Sequence, residues 1–392
     1  MNFAPVLDLA TVPESSIIGP RAFSDDPALA ARLGIAWARG SMAAGVIPTV
    51  KHFPGHGATA LDSHGILPKI EIDKSTFLRR ELYPFEQAVR AGIPAVMSGH
   101  LAFPSISGEE PASLSRGMIE GLLRERLGFK GLVITDDLYM EGALDGAGIL
   151  ETCLKAIRAG NDMLLLSSAP AEDGALWKGL LTALRNDERL RKTVEVAVRR
   201  ILTLKLAYLR GIDRESLIPD PAEVERLLPD AEGQVFFADL ARRSASIIGR
   251  KAELPFAPQG LVLIAAPFGE FIALGKERYP TARGFTFSFR PEHEAKPEEL
   301  EAFKKALSGC AGAIVCVANR AGMQFATLAH ERGVDVAIVS VLSPIHAAHS
   351  PWSKAAIAVY HYAPACLEAG LDVLAGSLKP SGRVPLADHL IR

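Results

Sequence analysis

Residues 44–64 read A-G-V-I-P-T-V-K-H-F-P-G-H-G-A-T-A-L-D-S-H. The apolar run over 44–50 has the character of a strand, and it ends in Lys51 and His52. Pro54, Gly55, Gly57 and Gly65 then rule out regular structure, so the strand opens into a Gly-rich loop. A buried strand that delivers polar groups at one end is the pattern of an α/β fold, in which ligands bind at that end of the sheet. Residues 51–64 hold three histidines, one aspartate and one lysine, more titratable groups than a solvated turn requires.

The same pattern recurs along the first half of the chain. Apolar runs end in Asp8 (2–8), His100 (95–100), the pair Asp136 and Asp137 (132–137) and Ser167 (162–167). Between them, apolar residues spaced by three and four predict helices over 28–44, 75–91, 113–127 and 148–159. Ser113 and Ser115 are cap candidates, and Gly92 and Gly160 stand where a helix would stop. Strand–helix alternation with reactive residues at strand ends fits a (β/α)8 TIM-type barrel or a doubly wound sheet, and no G-x-G-x-x-G turn decides between them. The pattern yields five strands where a full barrel needs eight, and 172–209 reads as helix.

Residues 210–235 carry three prolines and many charges and read as a linker. A helix near 233–246 leads into strands at 260–266, 312–318, 334–341 and 355–360, separated by helices at 297–307, 321–332 and 363–375. The expected organisation is therefore a barrel domain over 1–209, a linker over 210–235 and a smaller α/β sandwich domain over 236–392. A chain of 392 residues suits two cores better than one. A net charge of −2 with scattered Lys and Arg excludes a nucleic-acid footprint, and no apolar run reaches the ~18 residues of a membrane span. The four cysteines (Cys153, Cys310, Cys316, Cys366) lack zinc spacing and read as reduced core residues. Reduced cysteines make the cytoplasm the expected location; the first residues lack the basic and long apolar regions of a signal peptide but give little help with location.

Side chains alternate along a strand, so Asp136 and Asp137 cannot both point into one pocket; one is expected to be chemical and the other structural. His52 and His56 have the H-x-x-x-H spacing of a zinc pair, but Phe53-Pro54-Gly55 forbids the helix that pair requires. In Asp62-Ser63-His64 a carboxylate stands two residues from an imidazole on a Gly-flanked loop. A carboxylate bonded to an imidazole fixes its tautomer, and a ring so held can act as general acid and base near neutral pH. A serine-hydrolase triad is the competing idea, but Met97-Ser98-Gly99-His100 is not a G-x-S-x-G elbow. Arg21, in a loop beyond the first strand, is either an anchor for a polar ligand or a surface charge.

K-H-F-P-G-H-G followed by D-S-H, then T-D-D-L-Y-M-E-G-A, closely resembles family 3 glycoside hydrolases, and in particular their β-N-acetylglucosaminidase branch. N-F-A-P-V-L-D near the start, I-G-P-R at 18–21 and K-P-S-G-R-V-P near the end fit the same two-domain pattern. The resemblance implies a retaining β-N-acetylhexosaminidase, without a cofactor, acting on N-acetylglucosaminides such as peptidoglycan fragments. By motif position it makes Asp136 the nucleophile, His64 with Asp62 the general acid/base, and Lys51, His52 and Arg21 the sugar-binding residues. It also implies that strands bearing a D-Q-E-G-G segment precede N-F-A-P-V-L-D in the family, so a barrel incomplete at its N-terminus is expected here. The alternatives are a β-glucosidase-like relative, whose acid is a glutamate of the second domain, and a non-catalytic sugar-binding remnant.

Overall fold

Four strands, β1 (Thr49–Phe53), β2 (Ala95–Ser98), β3 (Leu132–Asp137) and β4 (Met163–Leu165), pair in that order into one parallel sheet. The computed structural model describes residues 1–12, 17–144, 146–171, 173–213, 217–249, 252–290 and 294–387. Contacts divide the chain into two units, Met1–Leu217 and Ile218–Arg392. The division falls inside the stretch read as a linker, which also contains a helix, Pro221–Leu227, capped by the Asp220 side chain.

In the first unit the strands are apolar because the sheet is covered, as parallel sheets generally are. Val50, Phe53, Val96 and Val133 are buried in one cluster with Phe85, Phe103 and Leu123 from the flanking helices and loops. Phe53 and Phe85 meet edge to face at 5.7 Å. The helix Pro27–Ala43 starts where Asp26 accepts the Leu29 N–H, and it buries the small residues Ala30, Ala31, Gly34 and Ala38. Gly34 makes room there: a Cβ would lie 2.2 Å from Leu7 Cδ2, so the buried Leu7 side chain would have to shift.

The segment 2–8, expected as a strand, runs parallel to β1 but pairs with it through the isolated bridges Asn2–Pro48 and Val6–Lys51 and not as a regular strand. Pro5 has no N–H to give, so a regular ladder cannot pass through it. The expected helix over 75–91 is broken into Lys74–Thr76, a wide π-type turn Phe77–Glu81, and Tyr83–Arg90. Pro84 explains the restart, because it fits only a first helical turn. The helix Ile149–Ala159 ends at Gly160, whose φ of +108° is the left-handed cap expected of it. Among the described residues the sheet is open, with 2–8 at one edge and β4 at the other.

The second unit is a six-stranded sheet in the order β5 (Ser246–Ile247), β10 (Ala355–Ala358), β9 (Asp335–Ser340), β8 (Cys310–Val317), β6 (Leu261–Ala266), β7 (Arg283–Thr286). All pairs are parallel except β5 with β10. One apolar cluster lies on each face, with Phe271 and Leu371 in one and Phe303 and Phe325 in the other, so the unit is an α/β sandwich. No helix among the described residues is long and apolar enough to cross a membrane.

At the N-terminal ends of the first sheet, the buried Asp162 accepts from the Val133 N–H at 2.8 Å, Arg124 at 2.6 Å and Arg200 at 2.9 Å. Removing one partner of a buried ion pair leaves the other charge without compensation. Asp162→Ala is therefore expected to destabilise the first unit by about 3–5 kcal/mol. Urea unfolding, with hydrogen exchange at the β3 amides, checks this; a loss below about 1 kcal/mol would mean that water replaces the carboxylate.

Candidate active site

The polar residues at the C-terminal ends of β1, β2 and β3 converge because two of these strands depart from regular register. Val50 pairs with Val96 and Phe53 with Ser98, so Lys51 and His52 bulge from β1. Ile134 pairs with Met163 and Asp137 with Leu165, so Thr135 and Asp136 bulge from β3. A bulge leaves ladder groups unpaired and re-aims side chains, and bulges concentrate next to active sites. Here side chains take the freed hydrogen bonds: Thr135 Oγ1 accepts the Leu165 N–H at 3.0 Å.

The freed His52 N–H goes to Asp8, a residue that the sequence reading placed only as the end of a strand. Asp8, 1% exposed, accepts from the His52 N–H at 3.1 Å and the His56 N–H at 2.7 Å, and its Oδ2 lies 2.6 Å from His52 Nδ1. Burial alone would raise the Asp8 pKa, but His52 and His56 outweigh it and hold the group below the usual carboxylate range. A carboxylate only accepts, so His52 Nδ1 carries the proton and Nε2 is turned toward Asp136 Oδ2, 3.7 Å away. The H-x-x-x-H spacing thus serves a shared carboxylate. His56 itself is buried, and burial pushes its pKa down.

The two adjacent aspartates take different partners. Asp136 faces His52 and accepts the Asp137 N–H at 2.9 Å, while Asp137 accepts the Tyr139 N–H at 3.1 Å and the Ser167 N–H at 3.0 Å, tying the ends of β3 and β4 together. Below them His100, 1% exposed, donates from Nε2 to the Asp137 carbonyl at 3.0 Å and accepts at Nδ1 from the Ser113 hydroxyl at 2.7 Å. Burial is the main cause that lowers the His100 pKa, in keeping with this neutral tautomer. His100 and Asp8 end apolar runs just as Asp136 does, and that shared position was the signal available for both.

Lys51 is half-buried; burial, and next the positive charge of Arg21, lower its pKa, opposed by Asp136 and Asp8. Arg21 is exposed on the short turn Gly19–Arg21, where its Nε donates to the Ile17 carbonyl at 2.7 Å. On the following loop His64 Nδ1 and Asp62 Oδ1 lie 2.7 Å apart, and the same oxygen accepts the His64 N–H at 2.9 Å. The N–H and ring of His64 hold Asp62 below the usual carboxylate range, although its partial burial works the other way. The His64 side chain is 71% exposed, so the structure pairs it with Asp62 and leaves its other ring nitrogen open. Ser63 between them is buried, with its carbonyl accepting the Gly142 N–H at 3.0 Å. A 310 Å³ cleft at the opposite end of the sheet is lined by Arg116, Arg158, Lys192 and Arg200, but Asp162, Asp187 and Glu188 neutralise three of these.

Residues 1–204 match the glycosyl hydrolase family 3 N-terminal domain, and the chain belongs to that family. It is 42% identical over 169 residues to a beta-hexosaminidase of Thiobacillus denitrificans, covering 43% of this chain and 46% of that protein. A beta-hexosaminidase of Tolumonas auensis is 38% identical over 181 residues, covering 46% and 53% respectively. The chain thus spans about half the length of these curated relatives. A family 3 beta-N-acetylglucosaminidase structure from Paenibacillus superposes with a TM-score of 0.87 at 28% identity, covering 99% of this chain and 76% of that one.

His56 and His100 are bases whose pKa values are lowered on folding, so between their folded values and the unfolded value near ~6.5 the unfolded chain binds more protons. Stability is expected to fall as pH drops below about 6.5. In thermal melts at pH 7.5 and 5, His100→Asn should lose less than the native chain over that interval. Parallel losses in both proteins would place the pH response elsewhere.

Proposed function

We propose that the first unit catalyses retaining hydrolysis of terminal β-linked N-acetylglucosamine, from glycans such as peptidoglycan fragments. The observation that carries the reading is the Asp62–His64 pair at 2.7 Å, whose second ring nitrogen is open to a ligand. A retaining enzyme needs a nucleophile on one face of the anomeric carbon and a proton carrier for the leaving oxygen. The names of the relatives favour the N-acetylhexosaminide over the glucoside, and the Asp62–His64 loop offers an acid that does not depend on a glutamate of the second unit.

In this reading an Asp136 oxygen bonds to the anomeric carbon as the bond to the leaving oxygen breaks. His64 Nε2 gives its proton to that oxygen. The same nitrogen then takes a proton from water as the water oxygen attacks the anomeric carbon and releases Asp136. Asp62 fixes the tautomer that leaves Nε2 to do both tasks. Lys51, beside Asp136, and Arg21, near Lys51, supply donors for the hydroxyls and acetamide of the sugar, and His52 Nε2 supplies an acceptor.

Asp136→Ala is expected to abolish turnover and the trapping of a covalent sugar by a 2-fluoro glycoside, read by mass spectrometry. His64→Ala should lower kcat/KM by ~10²–10⁴-fold on aryl N-acetylglucosaminides with poor leaving groups. On dinitrophenyl substrates the loss should stay under about tenfold, because such leaving groups depart without a proton. Equal losses on the two substrates would remove His64 from its role, and faster cleavage of aryl glucosides than N-acetylglucosaminides would favour the glucosidase alternative.

A further inference from the structure

The motif after the proposed nucleophile, D-D-L-Y-M-E-G-A, contains a glycine that the chemistry above leaves unused. Gly142 is buried in the short helix Glu141–Leu144, which begins five residues after Asp136. It lies against the loop that carries His64. Its N–H donates to the Ser63 carbonyl at 3.0 Å, and the preceding Glu141 N–H donates to the His64 carbonyl at 3.4 Å. A Cβ at position 142 would stand 2.8 Å from the Ser63 carbonyl oxygen, 3.2 Å from the Ile66 carbonyl oxygen and 3.3 Å from Ser63 Cβ. The nearest of these is backbone, so the loop itself would have to move.

Ser63 is the buried residue of the loop, 4% exposed, while the side chains on either side of it, Asp62 and His64, are 41% and 71% exposed. Its hydroxyl lies 3.4 Å from His56 Nε2, and the His56 N–H is bonded to Asp8. The loop is therefore held at its middle on two sides. One side is the chain that leaves Asp136; the other is His56, whose N–H is bonded to the Asp8 carboxylate that also orients His52 toward Asp136.

We infer that Gly142 is a positioning residue: by allowing the loop backbone to close onto the Asp136 segment, it sets where the Asp62–His64 pair stands relative to the nucleophile. The inference rests on the acid/base reading of His64. Gly142 has no positive φ among the glycines that do, so the constraint at this position is close approach and not backbone conformation. In a helix interior alanine is the better former, so the substitution acts through the loop and not by weakening the helix.

The test compares kcat/KM of the full chain, Gly142→Ala, Ser63→Ala and His64→Ala on dinitrophenyl and on phenyl β-N-acetylglucosaminide. Gly142→Ala is expected to lose about 10–100-fold on the phenyl substrate, as a small misplacement of a reacting group would, and only a few-fold on the dinitrophenyl substrate. Azide, which attacks the glycosyl-enzyme without needing a base, should raise kcat of Gly142→Ala on the dinitrophenyl substrate and leave the native chain unchanged. Ser63→Ala keeps every backbone contact and should show a weaker loss with the same preference, so the inference stands or falls even if Gly142→Ala does not fold. If His64→Ala discriminates between the substrates while the folded Gly142 and Ser63 variants lose activity equally on both, or not at all, the inference is overturned and the acid/base reading stands. If His64→Ala fails to discriminate, that reading falls and the inference falls with it.

Discussion

One buried carboxylate holds the site together. Asp8 sits 1% exposed with a pKa below the usual range, so it is charged where water does not reach. Such a charge is tolerated only when hydrogen bonds replace its hydration. Its donors are two backbone N–H groups and an imidazole, from His52 and His56. One of those N–H groups belongs to the bulge in β1, so the irregular strand and the buried charge satisfy each other. Neither arrangement is reasonable alone: the bulge without Asp8 leaves a buried donor unpaired, and Asp8 without the bulge loses the donors that His52 provides.

The second bulge, in β3, solves a related problem. Two adjacent aspartates in a regular strand point to opposite faces. Here Asp137 accepts backbone N–H groups from Tyr139 and Ser167 and becomes part of the framework. His100 holds the carbonyl of the same residue from below, through the one tautomer that also accepts from Ser113. Asp136 is left facing His52, and the loop with Asp62 and His64 is seated on the chain that follows. Family 3 membership and this arrangement agree in placing the polar ends of the strands on one side of the sheet.

Legibility followed burial. The strands β3, β6, β8 and β9 were readable because unbroken apolar runs mark a covered sheet, and the helices between them because of their three-and-four spacing. The edge strand β7 was not, since three of its four residues are exposed and nothing in R-G-F-T marks a face. The two-residue strand β5 is set by pairing with β10, and the helix Gly269–Arg278 begins with a glycine and lacks a side-chain cap. Among the site residues, Lys51, His52, Asp62, His64 and Asp136 stood out by density and motif, whereas Asp8 and His100 looked like ordinary strand ends.

The amino-acid sequence by itself determined most of the buried elements, their parallel α/β arrangement in two parts, the family through its motifs, and the pairing of Asp62 with His64, because each of these depends on residues close together in the chain. Only the tertiary structure decided which carboxylate orients His52, which of the two aspartates is free, and what the His64 loop rests on. These depend on contacts between residues far apart in the chain: Asp8 meets His52 across the edge of the sheet, and Ser63 meets Gly142 where the His64 loop closes on the short helix after β3. Local periodicity carries no record of such contacts, because a bulge or a close backbone approach is chosen by the hydrogen bonds it completes elsewhere.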